Sequence, residues 1–155
     1  GNYSKIKAFS HIENSLIGEN SNIGPYSRLR LNSVIKNNCK IGNFVETKNT
    51  ELNDNSKVNH LSYMGDAKIG KNVNIGAGTI TCNYDGNEKH ETIIEDDSFI
   101  GSNSELIAPV KIKKGAIVGA GTTLSKDAPE NSLTVRRAKQ TSFNGWKKSK
   151  KNKKK

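Results

Sequence analysis

The chain has 155 residues, of which 32% are hydrophobic, and 25 Lys and Arg stand against 15 Asp and Glu for a net charge of +10. That length suits one domain, and the sequence has neither an apolar run long enough to span a bilayer nor an opening signal-peptide pattern, so insertion into a membrane is not expected. Seven of the positive charges are lysines between Lys147 and Lys155, leaving +3 for the body, so the charge reads as a solvated basic tail and not as a specific nucleic-acid surface.

In chain order, residues 1–15 are a lead-in with imperfect repeats at Ile6, Phe9 and Ile12. From Ile17 an aliphatic residue returns every six positions, at Ile23, Leu29, Ile35 and Ile41. The count slips by one before Leu52 and Val58, and again before Ile69 and Ile75. Residues 82–93 (CNYDGNEKHETI) interrupt it with a turn signal at Asp85-Gly86. It resumes at Ile94, Ile100, Leu106, Ile112, Val118 and Leu124, after which residues 125–155 form an extension with the basic tail. Gly often follows the aliphatic, as at Gly18, Gly42 and Gly101, and a small or β-branched residue sits four positions after it, as at Ser21, Cys39, Val73 and Thr122.

A period of six belongs neither to an α-helix nor to an amphipathic strand. It predicts a hexapeptide-repeat parallel β-helix over 16–124, a triangular prism in which each hexad supplies one short strand and one corner. The aliphatics point inward and stack one coil on the next at about 4.8 Å, and the small residues fill the corners. The core is then a column, which accounts for a low hydrophobic content. Cys39 takes a small inward slot and Cys82 opens the insertion, so no disulfide is expected and a reduced, cytoplasmic protein follows. Interruptions of a solenoid map to loops and often to its binding face, so the chemistry is expected between residues 47 and 93.

Three stretches are distinctive: Gly42–Glu46 (GNFVE), Asn59–Asp66 (NHLSYMGD) and Asn74–Gly86 (NIGAGTITCNYDG). With Gly145-Trp146 before a basic terminus, they resemble the C-terminal domain of the bacterial bifunctional enzymes that make UDP-N-acetylglucosamine, a cell-envelope precursor. The resemblance covers residues 5–148. It implies a left-handed β-helix, a homotrimer with sites between subunits, and acetyl-CoA-dependent N-acetylation of glucosamine 1-phosphate. A Gly-rich nucleotide loop is absent from these residues, so uridylyl transfer and its Mg²⁺ site are not expected of this chain.

By the same resemblance His60 is the general base that frees the substrate amine, with Glu46 near its ring. A histidine titrating near neutrality suits that task. Arg30, Lys48 and Lys89 match residues around the sugar phosphate, for which Arg offers a forked donor and Lys a point charge. Tyr63, Asn74 and Glu46 match sugar-side positions. Ala77, Asn83, Tyr84, Ser102, Ala120 and Arg137 match positions that hold acetyl-CoA, and either backbone amides or Asn83 serve the oxyanion. Taken singly, each Lys here is an ordinary solvated cation and the small residues are ordinary corner chemistry. His11 and His90 read as surface residues. Only His60 of the three histidines lies in a regular coil, so a three-His zinc site is not expected. The competing readings are an acyltransferase for another amino sugar and a non-catalytic trimerisation scaffold.

Overall fold

In a computed structural model, residues 1–147 are described; the lysines beyond Lys147 lie outside the described residues. Among the described residues there are nineteen short strands and no helix, and every pairing between strands is parallel. An eight-stranded sheet forms the first face of the prism, and an eleven-stranded sheet wraps a corner to form the second and third.

Register explains why the period is six. Ile23, Ile41, Val58, Ile75, Ile100 and Val118 stack on the first face. Leu29, Thr47 and Met64, then Thr81, Leu106 and Leu124, stack on the second. Ile35, Leu52, Ile69, Ile94 and Ile112 stack on the third. All of these are buried. Burying each large aliphatic side chain contributes about 1.5–3 kcal/mol. The missing beats of the aliphatic count are therefore occupied: Thr47 stands six after Ile41, and Thr81 six after Ile75.

The corners have their own chemistry. Asn20, Asn38, Asn55, Asn72 and Asp97 hold positive φ at the turn from the third face to the first, a region that Asn and Asp enter more readily than other non-glycine residues. Their side chains link successive coils, Asn55 donating to Asn72 at 3.2 Å and Asn72 to Asp97 at 2.9 Å.

Two departures position the site. Equivalent residues lie eighteen apart from Arg28 to Glu46, but seventeen apart from Glu46 to Tyr63 and from Tyr63 to Ile80. The lost residue comes out of the corner between second and third faces. There Asn49 and Asp66, both at positive φ, turn the chain inside the unbroken strands Glu46–Leu52 and Tyr63–Ile69. The next coil is long, twenty-five residues from Ile80 to Glu105, because the insertion leaves after the strand Ile80–Cys82 and returns at Thr92–Ile94.

The prism also extends past the 16–124 expected from the repeats. Lys5–Ile6 pairs with Asn22–Ile23, and His11–Ile12 with Arg28–Leu29, so the lead-in is itself a coil. At the other end Leu133–Thr134 pairs with Ile117–Val118. These outer strands have only one neighbour each, so burial selects their residues weakly and the hexad signal fades.

Candidate active site

His60 ends the strand Lys57–His60 on the first face, and the chain then turns at Leu61 onto the second face, which begins with Tyr63. Its imidazole is exposed and makes no hydrogen bond to a described residue, while its carbonyl accepts from Ser62 Oγ at 2.8 Å. The ring borders a shallow groove with Asn43, Asn59, Lys7 and Lys40.

Below His60, corner hydrogen bonds run from coil to coil. Gly78 N donates to His60 O at 3.3 Å, Asn103 N to Ala77 O at 2.8 Å and Gly121 N to Ser102 O at 2.8 Å. These bonds place His60, Ala77, Ser102 and Ala120 in one column along the edge between first and second faces. Arg137 closes its end, with Nε donating to Ala120 O at 3.3 Å. Gly78 sits in this corner at φ 74°, a conformation that suits glycine. The result is an edge of small residues leading to an imidazole, a shape that admits a slender extended chain.

The second face carries the charge. Arg28, Glu46 and Tyr63 are register neighbours, and Lys48 stands beside Gly65. A β-carbon at Gly65 would overlap the Tyr63 phenol, so glycine there lets the ring lie back along its own strand. Arg30 Nη1 donates to Glu46 Oε1 at 2.8 Å, and this contact raises the guanidinium pKa above its ordinary value. Lys48 shows the opposite effect: Lys89, reaching in from the insertion, pushes the Lys48 ammonium below its ordinary value, and Arg30 adds to the push. The structure thus gathers Arg30, Lys48, Lys89, Tyr63 and Glu46 on one exposed face. Asp66 offsets only part of that push, neither lysine enters a salt bridge among the described residues, and two like charges so held form a seat for an anion.

Glu46 lies on the second face, where its carboxylate serves Arg30, with Arg28 at 3.9 Å. Asn74 also stands apart from the lysines. It lies on the first face between Lys57 and Phe99, in a groove with Asn38, Asn55 and Asn72.

Asn83 and Tyr84 leave the far corner of the second face. Asn83 lies five positions past Gly78, about 16 Å at roughly 3.3 Å per residue along a strand. Within one chain they are therefore remote from the His60 column. The Asn83 amide donates to Asp66 Oδ2, and Asp66 Oδ1 accepts from Asn49 at 2.6 Å, so one carboxylate ties three successive corners. Tyr84 turns its hydroxyl into its own hairpin, donating to Gly86 O at 2.6 Å.

Residues not expected from the sequence also shape the face. Thr81 Oγ1 accepts from Gly65 N at 2.7 Å and Thr47 Oγ1 bonds Ser33 Oγ at 2.8 Å, both inside the core under the lysines. Their six-residue spacing was the available signal. Asp66 had no signal beyond its place at a slip.

A family model described as the hexapeptide repeat of succinyl-transferase matches residues 91–126. The bifunctional protein GlmU of Ralstonia nicotianae is 58% identical over 150 residues, which is 97% of this chain and 33% of that protein. GlmU of Thermosipho africanus is 59% identical over 137 residues, 88% of this chain and 30% of that protein. The chain thus spans about a third of the length of the curated relatives it matches. Among solved structures, the polysialic-acid-specific acetyltransferase NeuO superposes with a TM-score of 0.55 at 15% identity, covering 97% of this chain and 84% of NeuO. The N-acyltransferase AntD of Bacillus cereus superposes at 0.51 and 19% identity, over 88% and 81%. These two show the fold alone. In sequence and fold together, this chain is a hexapeptide-repeat β-helix whose nearly whole length is similar to one third of the bifunctional GlmU proteins.

Proposed function

We propose that this chain transfers the acetyl group of acetyl-CoA to the amine of glucosamine 1-phosphate, releasing N-acetylglucosamine 1-phosphate and CoA in the cytoplasm. One observation carries the reading: a column of small residues ends at an unpaired imidazole, at the very corner that bounds a face bearing Arg30, Lys48 and Lys89.

In this reading the sugar phosphate sits against the lysines, and Tyr63 packs beside the ring. His60 accepts a proton from the substrate ammonium, and the freed amine attacks the thioester carbonyl. The carbon–sulfur bond breaks as the amide forms, and the departing CoA sulfur takes up the proton that the attacking nitrogen sheds. The pantetheine arm lies along Ala77, Ser102 and Ala120, with Arg137 toward the CoA phosphates. Holding both substrates at one corner converts a bimolecular encounter into an aligned one, which supplies much of the rate.

Asn74, Asn83 and Tyr84 complete the site from neighbouring copies in a homotrimer. An exposed stripe supports such an assembly. Phe9, Tyr26 and Phe44 stack at 4.9 and 5.4 Å along the first corner, all at positive φ, with Leu61 next in line. Bulky apolar residues in that strained region, facing water, fit a surface that another copy covers.

The test is CoA release by the chain given acetyl-CoA and glucosamine 1-phosphate, with glucosamine and a UDP-linked amino sugar as parallel acceptors. Turnover far greater with the sugar phosphate than with either other acceptor supports the reading. Turnover of the UDP-linked acceptor alone gives the chain another substrate, and none with any acceptor leaves a scaffold.

A further inference from the structure

The insertion is a built hairpin. Tyr84 and Lys89 pair as an antiparallel bridge, and His90 N donates to Asn83 O at 2.8 Å. Asp85 works with both oxygens. Oδ1 accepts from the amides of Asn87 and Glu88, each at 2.8 Å, and Oδ2 lies 2.7 Å from His90 Nε2. The Glu88 amide first, then the His90 ring and the Asn87 amide, hold the Asp85 carboxyl far below the ordinary carboxylate range. The charge that follows, Glu91, is engaged by Lys68 at 2.9 Å and leaves His90 to Asp85. Outside this small network the hairpin tip has little to hold it: Tyr84, Asp85, Gly86, Asn87, Glu88 and Lys89 are all exposed. Yet Asn83, at the hairpin's base, is tied through Asp66 to Asn49, the neighbour of Lys48, so Lys89 returns against Lys48, a like charge that would drive a loose lysine away.

We propose that Asp85 and His90 are positioning residues: their side-chain pair clamps the hairpin so that Lys89 is kept beside Lys48 and the anion seat exists before substrate arrives. The proposal rests on the reading of Lys48 and Lys89 as the phosphate seat. Neither Asp85 nor His90 touches the substrate; each acts through Lys89. Pre-forming the seat spends the ordering entropy of the loop in folding rather than in binding.

The experiment is steady-state kinetics on the full chain with Lys89→Ala, His90→Ala, Asp85→Asn and the double variant Lys89→Ala/His90→Ala, with unfolding temperatures checked in parallel. Lys89→Ala and His90→Ala should each raise the KM for glucosamine 1-phosphate about tenfold, with kcat within about twofold. The double variant should be no worse than Lys89→Ala alone, because residues acting through one contact are not additive. Turnover of unphosphorylated glucosamine should be unchanged, which a general loosening of the site would not allow. His90→Gln, which retains a donor toward Asp85, should recover part of the loss. A raised KM for Lys89→Ala beside an unchanged KM for His90→Ala and Asp85→Asn overturns the clamp and leaves the anion seat standing. Additive losses, or equal losses on glucosamine, also overturn it. An unchanged KM for Lys89→Ala removes the seat and the clamp with it.

Discussion

The coils before and after the insertion both hold ion pairs, but those before it also carry a like-charge contact. After it, opposite charges are matched: Lys111 Nζ lies 2.8 Å from Glu95, and Lys114 lies 3.9 Å from Asp97. Equivalent residues keep the regular spacing of eighteen, as from Glu105 to Thr123. Before it, two coils are a residue short, and the corner they lose brings Lys48 and Asp66 to the rim of the second face. There the insertion adds Lys89 against Lys48, and neither enters a salt bridge among the described residues. Both regions share one aliphatic column, so the stack supports the fold in each. The lesson is that a solenoid keeps its core through local changes of count, since each coil needs only its neighbours. Its surface is then free to hold an unfavourable arrangement that the core does not feel.

Four outcomes would sharpen or break that contrast. The largest lies in the regular region: Ile100→Ala should lower unfolding free energy by about 2–5 kcal/mol in chemical denaturation, with KM for both substrates little changed. A fall in KM-level binding instead would mean the two regions are coupled. In the irregular region His60→Ala should cut kcat/KM by roughly 10² or more while the unfolding temperature stays put. Retained turnover would remove His60 as base. Lys48→Met should raise the KM for the sugar phosphate about tenfold, yet leave the thermal midpoint no lower than that of the parent, because it relieves repulsion. A destabilised Lys48→Met chain would show that the lysine pair is not strained.

The smallest effects are in pH dependence, and they differ in sign. Glu95 is held below the ordinary carboxylate range by Lys111 and by the Lys114 amide. Its contribution is present above about pH 4.3, the ordinary Glu value, and is lost as pH falls through its lower folded value. Glu95→Gln should flatten that acid limb in thermal scans. The Lys48 ammonium is depressed. Its charge is a cost below its folded value, and stability recovers as pH rises from there toward about 10.4. Lys48→Met should erase that rise.

The repeat itself was legible from spacing, because every inward position of a coil is buried and only an aliphatic or small residue fits. Thr47, Met64 and Thr81 broke the pattern of letters but not of positions; a strict aliphatic count passes over them. The lead-in coil was less legible because Ile6 and Ile12 are only partly covered, so their neighbours carry no clear alternation. Among the expected site residues, Arg30, Lys48, Lys89 and Tyr63 share one face. Glu46 bonds Arg30, because register sets it beside Arg28 and Tyr63 on the second face.

From sequence alone came the coil, its three faces, the slips and the insertion, because period, small corners and Gly/Asn turns are local constraints that each residue must meet. Only the tertiary structure decided which slips share a face, that Asp66 ties three corners, and that an inserted hairpin returns its lysine to a coil two turns of the prism earlier. Those depend on register between coils, and register is the sum of every insertion and deletion along the chain, a quantity that no single motif contains.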